Sequence, residues 1–250
     1  MLSKAQISLI RNLKQKKHRV QEGLFVVEGT KMVQEALESK YRVYAVYSQK
    51  EDLFHESIGA KMITERQMSE ITHFSSPSPA LALVEMNKED DISQIICCID
   101  RSFLYLGLDS IRDPGNFGTI IRIADWFGIS AIFASTDTVD LYNPKVIQAT
   151  MGSVFRVPVH YVDLCKVVDI LDVPIWGTAV DGSSVFETKL SHNGMIIIGN
   201  EAHGISEILQ KKNIRTLTIP HYSKNAAAPE SLNAAAATAI ICAEFRRQYS

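Results

Sequence analysis

The chain has 250 residues, 46% hydrophobic and 22% charged, enough for one large α/β domain or two modest ones, and its composition excludes disordered, collagen-like and coiled-coil classes. No apolar run approaches the roughly 18 residues of a membrane-spanning helix, and the N-terminus lacks the apolar core of a signal peptide, so a cytoplasmic, membrane-free protein is expected. The 26 Lys+Arg and 28 Asp+Glu give a formal charge of −2, a balance that by itself weighs against a nucleic-acid partner.

That balance is uneven along the chain. Residues 1–50 hold ten basic residues against four Glu, a net +6, which leaves −8 for the remainder. Six of the ten (Lys4, Arg11, Lys14, Lys16, Lys17, Arg19) fall in the first twenty positions beside Ile7, Ile10 and Leu13 at helical spacing. This predicts a helix with one apolar edge and a cationic surface. Such a surface is a solvated face, a phosphate-contacting one, or a transit peptide of similar composition. Residues 24–27 read as a strand, 31–37 as a helix and 43–47 as a second strand; the turn-rich Ser75-Ser-Pro-Ser-Pro79 precedes another apolar run at 80–84. The acidic Lys88-Glu-Asp-Asp91 then marks a boundary between 86 and 102. The expected organisation is a small αβ domain over 1–92 and a larger domain over 100–250.

The larger domain alternates. Strands are predicted at 103–108, 131–134, 154–157, 175–180, 195–198 and 217–219, with helices at 117–127, 144–149, 164–171 and 232–247. This is the pattern of a mainly parallel sheet covered on both faces, whose ligands sit at the carboxyl ends of strands. The four cysteines, Cys97, Cys98, Cys165 and Cys242, show neither zinc spacing nor a disulfide framework and read as reduced packing residues, and no metal is expected.

Three segments lie at strand ends. Asp113-Pro-Gly-Asn-Phe-Gly-Thr-Ile-Ile-Arg122 opens a helix, with Asn116 expected as its cap. Arg122 stands about 140° from Phe117 on that helix, off the apolar face, where its planar fork suits a phosphate or a developing oxyanion. Gly199-Asn-Glu-Ala-His-Gly204 follows a buried strand, its glycines allowing a sharp turn and Glu201 supplying an acceptor. Ile219-Pro220 leads to Ser231-Leu-Asn233 and an alanine-rich helix, with Ser231 expected as the cap and Asn233 in the first turn. Each segment alone also reads as ordinary structure: a surface Arg, an αβ loop, a tight core helix. The sequence holds no Gly-x-Gly-x-x-Gly fingerprint, P-loop or Gly-x-Ser-x-Gly elbow.

Together the three segments resemble the motifs of the SpoU (TrmH-like) branch of the SPOUT methyltransferases. Asn116 through Arg122 is similar to the first motif, Gly199 through Gly204 to the second, and Ile219-Pro220 with Ser231-Leu-Asn233 to the third. Lys16-Lys-His-Arg19, Gly23, Phe25-Val-Val-Glu-Gly29, Val33 and Glu35-Ala36 resemble that family's accessory substrate-binding module, a fold likened to a ribosomal protein. Because this likeness begins near Ser3, it replaces the transit-peptide reading. The resemblance implies transfer of a methyl group from S-adenosylmethionine to a ribose 2′-hydroxyl, more in ribosomal RNA than in tRNA. It also implies a deep trefoil knot in the C-terminal domain and a homodimer formed there, features that general topological rules would not have assigned.

For the site, it implies catalytic roles for Asn116, Arg122, Glu201, Ser231 and Asn233, and a cofactor held at Gly199, Ile219 and Leu232, with Thr178 as a further candidate. The loop 221–229 is longer and richer in Ala than the family pattern, and Ala235 stands where a polar residue is usual; both departures bear on substrate choice. The rival reading is a non-catalytic RNA-binding or assembly protein with the same fold, against which stands the joint presence of the five catalytic candidates.

Overall fold

The computed structural model describes residues 2–87, 99–223 and 231–249. Cys97, Cys98 and positions 224–229 of the third motif's loop lie outside them. Spatial contacts divide the chain into two units, Met1–Lys88 with Asp140–Arg156, and Glu89–Val139 with Val157–Ser250. Residues 140–156 thus group with the N-terminal unit although they fall inside the larger domain in sequence.

The first unit contains α1 (Lys4–Asn12), α2 (Lys16–Glu22), β1 (Leu24–Glu28), α3 (Thr30–Glu38), β2 (Val43–Ser48), β3 (Lys61–Met62), α4 (Glu65–Ile71) and β4 (Ala80–Glu85). Its strands form one sheet in the order β1-β4-β2-β3, antiparallel except between β2 and β3. The unbroken apolar run of β1 is explained by burial on both faces. Leu24 and Val26 join a core with Ile10, Leu13, Met68 and Ile71, while Phe25 packs against the rings of Tyr41 and Tyr142.

The cationic N-terminus forms two helices rather than one: Ser3 caps α1 through a reciprocal capping box with Gln6, and α2 ends at the left-handed Gly23. Lys4, Arg11, Lys14, Lys16 and Lys17 are exposed as expected. Arg19 is not part of that surface. It is 2% exposed, donates to the carbonyls of Leu13 and Lys14 at 2.7 and 2.9 Å, and pairs with Asp140 at 2.6 Å. A guanidinium withdrawn from water keeps its charge by meeting acceptors in this way.

The helix Pro144–Thr150, capped by Asn143, completes the first unit, and Arg156 pairs with Glu35 at 2.5 Å. The strand expected at 154–157 is a 3-10 turn, Ser153–Phe155, entered through left-handed Met151 and Gly152. The positive φ of those two residues breaks the extended path that Val154 and Val157 favour, and the strand begins at Val159 instead.

The second unit contains β5 (Leu104–Leu108), the helix Pro114–Trp126, β6 (Ile132–Ser135), β7 (Val159–Val162), the helix Leu164–Ile170, β8 (Ile175–Ser184), β9 (Gly194–Ile198), the short helix Glu207–Gln210, β10 (Arg215–Thr218) and the helix Ala234–Arg247. The six strands form a wholly parallel sheet in the order β10-β8-β9-β5-β6-β7. One face carries Tyr105, Phe133, Met195 and Ile197, covered by Leu164, Val167 and Leu209. Alternation of strand side chains sends Leu104, Leu106, Ile196 and Ile198, all buried, to the other. The helices Pro114–Trp126 and Ala234–Arg247 pack along each other, with Arg246 donating to the carbonyls of Phe127 and Gly128 at 2.7 Å each. Cys165 and Cys242 are free thiols, and burial pushes Cys242 up to about 12. Among the described residues no helix is long and apolar enough to cross a membrane.

Candidate active site

The three motif segments converge at the carboxyl ends of β5, β9 and β10. In the first, Asp113 caps the helix Pro114–Trp126, its Oδ1 accepting from the backbone N–H of Asn116 at 2.7 Å. Asn116 is therefore not the cap but the third residue of the first turn. With Pro114 providing the fixed φ that starts the helix, the amide of Asn116 is released for bonds outside it.

Those bonds join the segments. Asn116 Nδ2 donates to Glu201 Oε1 at 2.5 Å, and Asn116 Oδ1 accepts from Asn233 Nδ2 at 2.7 Å. Asn233 Oδ1 accepts from the backbone N–H groups of Ala235 and Ala236 at 3.0 and 3.3 Å, so Asn233, and not Ser231, caps the last helix. The donors all run one way, from the N-terminus of that helix through two amides to the Glu201 carboxylate. Such an ordered relay fixes each amide's orientation and strengthens its bonds mutually.

The turn that carries Glu201 is closed by two bonds between Asn200 and Gly204, N–H to carbonyl in both directions, at 2.9 and 2.8 Å. Gly199 has to be glycine here: a Cβ on it would lie 2.2 Å from the Gly204 carbonyl carbon and 2.4 Å from the Ile205 nitrogen. Asp109, buried just past the end of β5, accepts from the Ser206 N–H at 2.7 Å and ties the far side of this turn to the first segment.

Arg122 is exposed on its helix and has no hydrogen-bond or ion-pair partner among the described residues. Ser231 is likewise exposed, and the relay reaches neither residue directly. The cofactor candidates Gly199 and Ile219 directly follow β9 and β10, and Thr178 lies inside β8, the strand between those two in the sheet. Thr178 is the first residue of a break in pairing. The β8–β10 register runs to Gly177 opposite Thr216 and resumes at Ser183 opposite Leu217, so residues 178–182 have no residue opposite them in that register. Gly199 is buried, Thr178 and Ile219 are half-buried, and Leu232 is 50% exposed.

Sequence reasoning missed a second polar cluster beside the relay. Ser110, Ser135, Asp137 and Asn200 interlock between the ends of β5, β6 and β9. The Ser110 hydroxyl is the main cause holding the Asp137 carboxyl below the usual carboxylate range. Only the position of Asn200 inside the second motif hinted at this cluster; single serines on loops carry no signal of their own.

The pattern of residues along the larger domain matches one family model over 103–243, that of the SpoU rRNA methylases. The chain belongs to the SpoU rRNA methylase family. Residues 4–82 of this SpoU-family chain match the MRM3-like substrate binding domain. Over 245 residues, 94% of each chain, it is 32% identical to RlmP, a 23S rRNA (guanosine(2553)-2′-O)-methyltransferase of Bacillus subtilis strain 168. The SpoU methyltransferase AviRb of Streptomyces viridochromogenes, in complex with AdoMet, matches with a TM-score of 0.85 and 27% identity over 99% of this chain and 98% of that one. An AdoMet-bound rRNA methyltransferase of Sinorhizobium meliloti matches with a TM-score of 0.84 and 29% identity over 100% and 97%.

Proposed function

We propose that this SpoU-family protein transfers a methyl group from S-adenosylmethionine to a ribose 2′-hydroxyl of ribosomal RNA. The observation that carries this reading is the relay from Asn233 through Asn116 to Glu201, which draws three distant motif segments into one site. RlmP, alike over 94% of its length, is named a 23S rRNA 2′-O-methyltransferase, and AviRb, alike over 98% of its length, is a SpoU methyltransferase in complex with AdoMet.

The residues suit the donor. Uncharged peptide groups at Thr178, Gly199, Ile219 and Leu232, two of them just past strand ends, offer the donor and acceptor edges an adenine ring needs and place no fixed charge against a sulfonium. When bound, S-adenosylmethionine supplies an electrophilic methyl group. Glu201, Asn116 and Asn233 hold the segments in register, and Ser231 adds a hydroxyl for the substrate. Arg122 orients the 2′-hydroxyl and stabilises the oxyanion that develops on it. A guanidinium, protonated at any working pH, is a poor base, so water or an RNA phosphate takes the proton.

The exposed Lys4, Arg11, Lys14, Lys16 and Lys17 contact RNA phosphates, and structured RNA is recognised chiefly by shape. Such an enzyme works where ribosomal RNA is, in the cytoplasm. We read the second unit as knotted and as the interface of a homodimer. The first reading rests on membership of the SpoU family, and the second is supported by Trp126, 84% exposed at the end of its helix.

Tritiated methyl incorporation into ribosomal RNA tests the proposal. Transfer is expected from the parent chain and lost in Arg122→Ala with RNA binding retained. No transfer by the parent to any ribosomal RNA refutes the activity; an equally active Arg122→Ala removes Arg122 from the mechanism.

A further inference from the structure

Ser110, two residues past β5, has φ +59°, a left-handed conformation that a Cβ disfavours. Three bonds hold it there. Its N–H donates to Ser135 Oγ at 2.8 Å, its hydroxyl donates to Asp137 Oδ2 at 2.5 Å, and its carbonyl accepts from Asn200 Nδ2 at 2.9 Å. Ser135 Oγ donates in turn to Asp137 Oδ1 at 2.7 Å, so one carboxylate grips a hydroxyl beyond β5 with one oxygen and a hydroxyl at the end of β6 with the other. Arg112 lies 3.6 Å from Oδ2. Asn200 uses its other end inside its own turn, Oδ1 accepting from the N–H groups of Ala202 and His203 at 2.9 and 3.3 Å.

The bonds therefore run from Asp137 through Ser110 to Asn200 and the turn that holds Glu201, which meets Asn116. Strained backbone persists only where its surroundings over-determine it, and it gathers at functional sites. We infer that Asp137 and Ser110 are positioning residues for the methyl-transfer site: the carboxylate locks Ser110 in its left-handed form, and the carbonyl thereby aimed at Asn200 sets where Glu201 stands against Asn116. Neither residue touches the reacting atoms. The inference rests on the proposed activity, and its consequence is that site geometry depends on the backbone conformation at 110 more than on the hydroxyl itself.

Glycine separates these two things. Ser110→Ala removes the hydroxyl and keeps the Cβ, so the backbone relaxes; Ser110→Gly removes the hydroxyl but adopts positive φ without a Cβ penalty. In the full chain, Asp137→Ala and Ser110→Ala are expected to lower kcat by about tenfold to a hundredfold, as misplacement of a site by a fraction of an ångström does, with RNA affinity unchanged within about twofold. Ser110→Gly is expected to recover most of that kcat while its Tm stays at or below that of Ser110→Ala. A role confined to stability would make kcat follow Tm and gives no such split. Hydrogen exchange in peptides spanning 199–206 is expected to quicken in Asp137→Ala and Ser110→Ala and to return toward the parent rate in Ser110→Gly.

The inference is overturned if Asp137→Ala keeps the parent kcat, or if Ser110→Gly is no better than Ser110→Ala. Should Asp137→Ala fail to fold, the Ser110 pair decides alone. Should the parent chain transfer no methyl group, the activity is wrong and the exchange measurement decides the positioning: quickened exchange over 199–206 upholds it, an unchanged rate overturns it.

Discussion

Replacing Asn116 probes the relay directly. Its amide makes one charge-assisted bond to Glu201 at 2.5 Å and one neutral bond from Asn233 at 2.7 Å. In buried surroundings these would contribute about 1.5–3 and about 0.5–1.5 kcal/mol. Asn116 and Glu201 are half-buried and Asn233 is exposed, so water replaces part of each bond, and Asn116→Ala is expected to cost about 1–2 kcal/mol in stability. That corresponds to a fall of roughly 2–8 °C in Tm for a chain of this size. Asn116→Asp has nearly the same shape but sets a second carboxylate against Glu201. At the separation of 2.5 Å now seen, two unit charges repel by about 1.7 kcal/mol at the dielectric of water and about 7 kcal/mol at an effective value of 20. Rotation of a half-exposed side chain into water relieves most of this, which brings the expected penalty to the lower figure. Thermal unfolding at pH 8 should therefore find Asn116→Asp less stable than Asn116→Ala by about 2 kcal/mol. The gap should close as the pH falls toward about 4, where carboxylates take up protons. Both variants should lose methyl transfer by about a hundredfold or more. An Asn116→Asp protein as stable as Asn116→Ala at pH 8 refutes the carboxylate pairing; a folded Asn116→Ala with near-parent activity refutes the relay's part in the site.

Changing exposed Lys14, Lys16 and Lys17 to Glu is expected to weaken RNA binding and flatten its dependence on log salt by about 2, since each phosphate neutralised by a cation adds roughly 0.7–0.9 to that slope; an unchanged slope in filter binding would exclude these residues from the RNA surface. Asp140→Ala strands a guanidinium whose side chain is 3% exposed. Removing one partner of a buried pair costs about 3–5 kcal/mol, and the two carbonyls that Arg19 retains favour the lower figure, or roughly 6–12 °C in Tm by calorimetry. Adding Arg19→Met should recover part of the loss, and a double variant no more stable than Asp140→Ala would show that the stranded charge is not the cause. Glu244 accepts two bonds from Arg247 at 2.7 Å and one from Gln248 at 2.9 Å, which draw its carboxyl from 4.5 down to about 2. A depressed folded-state value means stability that is present above about pH 4.5 and is lost as pH falls through about 2. The Tm advantage of the parent over Glu244→Gln should accordingly be full at pH 6 and gone near pH 2; a difference independent of pH would mean that the charge contributes nothing.

Features that depend on neighbours in the chain were legible in residue order. Apolar runs at β1, β5 and β9 read as strands because burial on both faces demands continuous hydrophobicity, and the amphipathic spacing of Phe117, Ile120, Ile121 and Ala124 marked their helix. The cationic start of the chain and the order of three motifs along a strand-helix alternation were equally plain. Where local signals competed, the reading slipped by a few residues: Asp113 ahead of Pro114 outdid Asn116 as a cap, Asn233 outdid Ser231, and two residues of positive φ moved the strand expected at 154–157 to Val159–Val162. Which polar atoms meet is a different matter, settled by the folded arrangement. Asn116 lies 85 residues from Glu201 and 117 from Asn233, and Arg19 lies 121 from Asp140. The order of strands in the sheet, which no local period encodes, brings the Asp137, Ser110 and Asn200 loops together. Hydrogen bonds act over about 3 Å, so residue types in a sequence can propose a site, but strand order and backbone conformation assemble it.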